Sequence, residues 1–242
     1  MSVSIAAQHM VLLSGFMCDS TLFADMAPHL QPRWRLHHGD LYSDASIDGM
    51  AQRVLATAPK RFALLGFSMG GFVARSIALM APERVSALIL IATSARASHP
   101  DEIARKRALR AQLAEHGFKG MSRTALRRAI HPDHPGRDTL VERLHAMGRR
   151  LGGAVMDRQL SAERADGYSD LPRIACPTLV IAAKDDALRP LVELQGLADG
   201  IPGATLEIIA GVGHMIPLEA PEALAGVVGS WLNRVTVAPI LT

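Results

Sequence analysis

One serine of the sequence stands in a motif that can activate a hydroxyl group. Ser68 lies between Gly66 and Gly70, directly after the apolar run 62–65 and directly before a helical pattern that starts at Met69. A strand, a Gly-x-Ser-x-Gly turn and a helix in this order form a nucleophile elbow, in which a strained turn lifts the hydroxyl above the sheet. Because about 0.1 such patterns per chain of this composition arise by chance, the motif is a hypothesis that its surroundings must support.

An acid and a histidine follow in the order that such a serine requires. A hydroxyl is a poor nucleophile unless a base takes its proton, and a histidine base needs an acceptor that fixes its tautomer. His214 stands in the glycine-rich loop 211–215, and Asp185 and Asp186 come just after a strongly apolar run. We interpret His214 as the base and one of the two aspartates as its partner; the alternative is a solvated turn and a surface histidine.

Backbone N–H groups are the expected donors to the oxyanion that forms when a serine attacks a carbonyl. One donor is the residue after the nucleophile, here Met69, and the other comes from the loop after the first core strand, here 14–16. We therefore predict an oxyanion hole formed by the N–H groups of Phe16 and Met69. Since the donors are backbone groups, the two side chains matter mainly for the shape of the pocket.

Length and composition exclude several classes of protein. The 242 residues are 49% hydrophobic and 20% charged, which suits one large α/β domain or two small ones and argues against disorder. No apolar run reaches the roughly 18 residues of a membrane span, and residues 1–7 lack the features of a signal peptide. Cys18 and Cys176 indicate free thiols, so we predict a cytoplasmic protein without a membrane partner. No C-x-x-C or H-E-x-x-H motif occurs, which predicts no metal and no cofactor.

Apolar runs and helical periodicities alternate near both ends of the chain. Strands are predicted at 10–13, 34–37, 62–65, 85–91, 177–182 and 204–209, and helices at 47–58, 69–80, 190–199 and 221–234. This alternation predicts an α/β fold with a parallel sheet. Residues 96–170, which we call the cap segment, are arginine-rich, with helices predicted at 101–116, 121–130, 138–151 and 154–165. We interpret the cap segment as an insertion over the end of the sheet where ligands bind.

Positive charge is concentrated in part of the cap segment. Residues 105–128 hold eight Lys and Arg residues against Glu115 alone, and we call this stretch the basic patch. One interpretation is solvated arginines on outer helix faces. The other is an anionic partner, either a carboxylate-bearing substrate or an acidic acyl carrier protein. Nucleic acid is a poor fit, because the patch has few aromatic residues and no known motif.

Four blocks of the sequence resemble the α/β-hydrolase superfamily: 12–16, the turn around Ser68, 181–190, and 211–215 with 221–223 following. The likeness is greatest to a compact bacterial branch that includes 3-oxoadipate enol-lactonases, pimeloyl carrier-protein methyl ester carboxylesterases and cofactor-free haloperoxidases. It covers residues 9–94 and 174–234. The resemblance implies an α/β-hydrolase fold, with a mostly parallel sheet flanked by helices and a helical cap inserted. It divides the chain into a core of residues 1–95 and 171–242 and a cap of residues 96–170.

The resemblance also decides between the two aspartates. In this branch the acid segment usually reads Gly-x-x-Asp with its last residue catalytic, and this register selects Asp186 over Asp185. The implied catalytic residues are Ser68, Asp186 and His214. Two positions depart from the pattern, because Ala183 replaces the glycine of the acid segment and Ser14-Gly15 replaces the usual His-Gly of the first loop. The backbone donors of the oxyanion hole are expected to survive the second change.

These residues predict a serine hydrolase that cleaves a carboxylic ester, a thioester or a lactone through an acyl-Ser68 intermediate. The partner would be a small acyl substrate that is neutral, anionic or carried on an acidic carrier protein. Two alternatives stay open. One is a ligand-binding protein of the same fold without turnover, and the other is hydrolysis of a C–C bond or perhydrolysis on the same three residues.

Overall fold

The computed structural model describes residues 8–31 and 33–237. The prediction that residues 1–7 are not a signal peptide concerns residues outside these ranges. Its strands are β1 (Gln8–Leu13), β2 (Trp34–His38), β3 (Phe62–Phe67), β4 (Val85–Ile91), β5 (Thr178–Ala183) and β6 (Thr205–Ile209). They form one six-stranded sheet in the order β2-β1-β3-β4-β5-β6, and every neighbouring pair is parallel. The predicted α/β fold with a parallel sheet is thereby confirmed.

The helices follow the strands in alternation, except in the cap segment. They are α1 (Ala27–Leu30), α2 (Ile47–Thr57), α3 (Met69–Met80), α4 (Pro100–His116), α5 (Arg123–Arg128), α6 (Arg137–Ser161), α7 (Leu191–Gly200), α8 (Ile216–Glu219) and α9 (Pro221–Val237). Two 3₁₀ turns cover Ser20–Phe23 and Tyr168–Arg173. α6 joins the two helices predicted at 138–151 and 154–165, with a kink where Gly152 takes φ 76° and ψ 178°. The second half ends at Ser161, because Ala162 already has extended backbone angles.

The two faces of the sheet carry separate layers of core. Because side chains alternate along a strand, Met10 and Leu12 of β1 pack on one face while Val11 and Leu13 pack on the other. The first face is covered by α1 and α9 and the second by α2, α3 and α7. β3 and β5 are buried along their whole length, as expected for central parallel strands. The loops that follow the carboxyl ends of β3 and β5 are therefore attached to rigid, buried strands.

The cap segment joins β4 to the 3₁₀ turn before β5 and contains no strand. α6 contributes Leu140, Val141, Leu144 and Met147 to the same apolar cluster as the first sheet face, whereas α4 and α5 bury none of their residues. Part of the cap segment is thus continuous with the sheet core, and the division at residues 95 and 171 stays a prediction. Among residues 8–31 and 33–237, none of the helices has the length and apolar character required to span a bilayer.

Candidate active site

Ser68 occupies a strained turn between β3 and α3. Its φ of 51° and ψ of −111° lie in a region that residues other than glycine rarely adopt, at a cost of about 1–3 kcal/mol. The flanking glycines are required by close approaches. A Cβ on Gly66 would lie 2.5 Å from the carbonyl oxygen of Gly70, and a Cβ on Gly70 would lie 2.3 Å from that of Leu13. The motif therefore packs strand against helix as the sequence predicts.

Hydrogen bonds from neighbouring elements hold the strained residue. The N–H of Ser68 donates to the carbonyl of Ile91, the last residue of β4, over 2.9 Å. Its own carbonyl accepts from the hydroxyl of Thr93 over 2.8 Å and from the N–H of Gly71 over 3.0 Å. Both backbone groups of Ser68 are thus tied to rigid parts of the fold, which leaves the hydroxyl as its free functional group.

The structure brings Ser68, His214 and Asp186 into one hydrogen-bonded chain. The Nε2 of His214 lies 2.9 Å from the hydroxyl of Ser68, and its Nδ1 lies 2.8 Å from Oδ2 of Asp186. The side chains of His214 and Asp186 are 6% and 1% exposed. The ring of Phe67 packs against the imidazole with centroids 5.2 Å apart. This geometry suits an Nδ1–H that donates to the carboxylate and a hydroxyl that donates to Nε2.

The two neighbouring aspartates have different surroundings. The second carboxylate oxygen of Asp186 accepts from the N–H groups of Leu188 and Arg189, over 2.7 and 2.9 Å. Asp185 is 46% exposed, and its carboxylate lies 3.8 Å from Nε2 of His131. Only Asp186 of this pair reaches His214, which agrees with the register that the sequence resemblance selects.

A carboxylate that the sequence did not single out fastens the loop of His214. Oε2 of Glu219 accepts from the N–H groups of Gly213 and His131 over 2.9 and 2.8 Å, while Oε1 accepts from Met215 over 3.0 Å. These bonds hold the residues on both sides of His214 and tie the loop to the cap segment. No recognised motif marks Glu219: two of its partners lie four and six positions away, and the third, His131, is 88 positions away.

The loop that carries Phe16 is fastened by another residue that the sequence did not reveal. Gln159 of α6 is 2% exposed; its Oε1 accepts from the N–H of Met17 over 2.9 Å, and its Nε2 donates to the carbonyl of Leu41 over 3.0 Å. Within the described residues the N–H of Phe16 finds no acceptor. The N–H of Met69 opens α3 and has no partner inside the helix. Both predicted oxyanion donors are therefore available.

Two cavities meet at Ser68. The first, of about 580 Å³, is mainly apolar; its walls include Phe67, Leu126, Leu144 and Met215, and His214 borders it. The second, of about 300 Å³, lies against Met69 and is bordered by several charged side chains. Phe16 borders both cavities. An acyl compound can thus extend in two directions from the hydroxyl.

The basic patch is largely paired with acids from outside it. The pairs are Lys106–Glu102, Arg107–Glu163, Arg110–Asp157, Arg123–Glu142 and Arg127–Asp138. Outer faces of α4 and α5 therefore carry less unbalanced charge than the sequence suggests. Arg105 and the paired Lys106 border the second cavity, and Arg128 borders the first.

The part of the chain that the structure describes contains neither a metal-binding cluster nor a reactive thiol. No group of three or more His, Cys, Asp or Glu side chains there is arranged to hold a metal ion. Cys18 and Cys176 are free thiols, and burial beside Asp19 raises the pKa of Cys18 to about 12. Cys18 is therefore an unreactive wall of the first cavity. The absence of a cofactor stays a prediction.

Comparisons of sequence place this chain among known proteins. A model of the alpha/beta hydrolase family matches residues 10–227. A pimeloyl-[acyl-carrier protein] methyl ester esterase from Aliivibrio salmonicida is 33% identical over 235 residues, which are 85% of this chain and 84% of the relative. Relatives of the same name from Klebsiella pneumoniae and Pectobacterium carotovorum are 39–42% identical, but the chain matches only 36 or 37% of their length.

Solved structures give the same fold. A thermophilic esterase from Thermogutta terrifontis, with malate bound, superposes with a TM-score of 0.82 at 26% identity, over 95% of this chain and 91% of the other. An enol-lactonase from Burkholderia xenovorans superposes with a TM-score of 0.83 over 96% and 94% of the two chains, and at 19% identity it shows the fold alone. Two of the three groups that the sequence resemblance named, enol-lactonases and carrier-protein methyl ester esterases, are therefore among the similar proteins.

Proposed function

The chain belongs to the alpha/beta hydrolase family, and we propose that it is a serine hydrolase that cleaves a carboxylic ester, thioester or lactone through an acyl-Ser68 intermediate. One observation carries the proposal. Ser68, His214 and Asp186 form a chain of contacts of 2.9 and 2.8 Å at the carboxyl ends of parallel strands. Their order along the sequence and their buried acid match what a nucleophilic hydroxyl requires.

In the proposed acylation step, Ser68 attacks the carbonyl carbon of the substrate while Nε2 of His214 takes its proton. The imidazolium that forms is stabilised by Asp186, whose carboxylate keeps its negative charge. The carbonyl oxygen becomes an oxyanion, for which the N–H groups of Phe16 and Met69 are the proposed donors. His214 then gives the proton to the leaving alcohol or thiol, and the acyl group stays on Ser68.

In the proposed deacylation step, a water molecule repeats the attack on the acyl-enzyme. His214 accepts a proton from this water, and the same two N–H groups stabilise the second oxyanion. Collapse of the intermediate releases the carboxylic acid and returns the proton to Ser68. For a lactone substrate, the leaving hydroxyl remains part of the product.

The apolar first cavity supports a substrate with a hydrocarbon portion of moderate length. A volume of about 580 Å³ lies in the range of small-molecule sites. The names of the relatives, methyl ester esterases of an acyl group on a carrier protein, support an ester as the substrate class.

Labelling with a fluorophosphonate probe tests the proposed nucleophile. We expect the protein to be labelled stoichiometrically and the Ser68→Ala variant to remain unlabelled. Absence of labelling in the folded wild-type protein would favour the alternative of a ligand-binding protein without turnover. A panel of p-nitrophenyl esters, lactones and acyl thioesters then ranks the substrate classes. Turnover confined to C–C bonds or to hydrogen peroxide as the acyl acceptor would overturn the ester assignment.

A further inference from the structure

The second cavity collects positive charge from three separate parts of the chain. Arg105 and Lys106 reach it from α4, Arg164 from the segment after α6, and Arg189 from the loop that follows Asp186. Three of these side chains are partly or largely buried; that of Arg164 is only 10% exposed and that of Lys106 18% exposed.

The carboxylates nearby do not balance this charge. Glu102 lies within ion-pair distance of Lys106, Arg164 and Arg96, and Glu193 pairs with Arg96 over 2.9 Å. Two carboxylates are thus shared among three cations, and Arg189 forms an ion pair with neither of them. Among the described residues, no carboxylate oxygen lies within 4.0 Å of the guanidinium of Arg189, which instead lies 5.8 Å from the ring centre of Phe72.

The surplus cations also have unused hydrogen-bonding capacity. The Nε atoms of Arg164 and Arg189, like the Oε2 atoms of Glu102 and Glu193, are buried and have no hydrogen-bond partner in the part of the chain that the structure describes. Burial lowers the pKa of Arg189 in spite of the attraction of Glu193, Glu102 and Asp186, and the pKa of Arg164 is also lowered chiefly by burial. Partly buried charges of like sign without partners are unfavourable, and a bound anion removes that penalty.

We propose that the second cavity binds a carboxylate carried by the acyl part of the substrate, so that the natural substrate class is the monoester of a dicarboxylic acid. This inference rests on the proposed hydrolase function. A planar guanidinium such as that of Arg189 matches a carboxylate through two parallel hydrogen bonds. The volume of about 300 Å³ accommodates a short chain with its terminal carboxylate.

The position of His214 assigns the acyl part to this cavity. His214 borders the first cavity and not the second. The imidazole must deliver its proton to the leaving oxygen, so the alcohol part has to lie on the side of the first cavity. Met69, one of the two proposed oxyanion donors, borders the second cavity. The acyl chain then runs from the carbonyl carbon past Met69 towards Arg189 and Lys106.

Paired esters that differ only in charge test the inference. The substrates are p-nitrophenyl monoesters of dicarboxylic acids from glutarate to suberate, each compared with the matching ω-carboxamide. We expect kcat/KM of the wild-type protein to favour the carboxylate at least tenfold at the best chain length, since a charge-assisted hydrogen bond contributes about 10- to 100-fold. The Arg189→Gln variant should lower this ratio roughly tenfold, mainly through KM.

Two further variants keep the test independent of folding defects. Arg105 is exposed, so Arg105→Gln is expected to fold and to lower the ratio several-fold. Arg110, on the same helix, pairs with Asp157 and does not border the second cavity, and Arg110→Gln should leave the ratio within about twofold of wild type. Equal effects of Arg189→Gln and Arg110→Gln would overturn the inference.

Inhibition gives a second readout that needs no charged substrate. Adipate should compete with p-nitrophenyl butyrate, and its inhibition constant should rise about tenfold in Arg189→Gln. A wild-type carboxylate-to-carboxamide ratio near one at every chain length overturns the subsite, as does a preference for a carboxylate on the alcohol side alone. Failure of the hydrolase function looks different, because then neither ester series is hydrolysed and Ser68 is not labelled by the fluorophosphonate.

Discussion

The sheet core and the cap segment are held together by different interactions. In the sheet, neighbouring strands set apolar residues side by side, as with Leu12 against Leu65 and Leu90 against Val180, and both faces are covered. α4 of the cap segment buries no residue and is attached largely by ion pairs and by a hydrogen bond from Lys106 to the carbonyl of Ala162. Each buried apolar side chain contributes substantially to the free energy of unfolding, so substitutions in the sheet core are costly. Each exposed ion pair contributes little.

This difference separates the proposed chemistry from the proposed selectivity. Ser68, Asp186 and His214 stand on loops that follow β3, β5 and β6, and the backbone N–H of Ser68 is bonded to the last residue of β4. The charged wall of the second cavity comes partly from α4, which lacks such anchoring. Substitutions in the first group should therefore abolish turnover, and substitutions in the cap segment should change which substrate is turned over or change nothing.

The largest expected effect is the loss of the nucleophile or the base. Ser68→Ala and His214→Ala should each lower kcat by up to about 10⁶-fold, and the double variant should lose no more than either single one, because the residues act as a unit. Hydrolysis of a p-nitrophenyl ester measures this. Residual activity in Ser68→Ala comparable to wild type would mean that the reaction uses another nucleophile.

The next-largest effect on kcat should come from Asp186, and the neighbouring Asp185 provides the matched control. Asp186→Asn keeps the shape of the side chain but favours the wrong tautomer of His214, so kcat should fall on the order of 10⁴-fold. Asp185→Asn changes a half-exposed carboxylate that does not reach His214, and kcat should stay close to wild type. The opposite ranking of these two variants would show that Asp185 is the working acid.

Glu219 tests whether the anchoring of the histidine loop matters for chemistry. In Glu219→Gln an amide N–H₂ replaces one acceptor oxygen and faces backbone donors, so His214 loses part of its support. A displacement of the imidazole by a fraction of an ångström should lower kcat about 10- to 100-fold while KM changes little. The control is Glu222→Gln, because this side chain is 83% exposed and lies 4.0 Å from His29.

If the activity of Glu219→Gln falls only in proportion to the fraction of protein that stays folded, a positioning role is contradicted. Thermal unfolding of the same samples distinguishes the two explanations. Rescue of kcat by Glu219→Asp would support positioning by a carboxylate. No rescue is expected from raising the substrate concentration, because the defect lies after binding.

The parts of the site that local sequence specifies were predictable. The apolar run, the glycines and the helical pattern around Ser68 predict β3 and α3, and the helix boundaries 69 and 80 agree with the structure. The Gly152-Gly153 pair likewise divides the helical pattern of α6 at its kink. Such signals depend on the backbone preferences of a few consecutive residues, and these preferences can be read from a short stretch of sequence.

Contacts between distant segments were not predictable from one sequence. The bond from Met17 to Gln159 joins residues 142 positions apart, and nothing in either segment indicates the other. The basic patch is a similar case, because its acidic partners come mostly from α6 and the residues that follow it. Local charge counts therefore overstate the free charge of the cap segment and hide the part that borders the second cavity.

Substitution of Gln159, a buried residue of the cap segment, should clearly lower the stability of the protein. Gln159→Leu leaves the N–H of Met17 and the carbonyl of Leu41 buried without partners, which should lower the free energy of unfolding by about 2–4 kcal/mol. For a protein of this size that corresponds to a decrease in Tm of roughly 5–10 °C. The same substitution at the exposed Gln112 of α4 should leave Tm nearly unchanged. Equal Tm values for the two variants would contradict a structural role of the Gln159 hydrogen bonds.

The smallest effect should come from the exposed ion pairs of the cap segment. Arg123 reaches Glu142 with two hydrogen bonds, over 2.8 and 3.0 Å, yet both side chains are more than half exposed. Water and salt screen such a pair, and the ordered side chains lose rotamer freedom in forming it. Arg123→Gln should therefore leave Tm within experimental error of wild type, whether measured at low or at high salt. A clear salt-dependent decrease in Tm would mean that ion pairs stabilise the cap segment as firmly as apolar packing stabilises the sheet, and the contrast between the two regions would not hold.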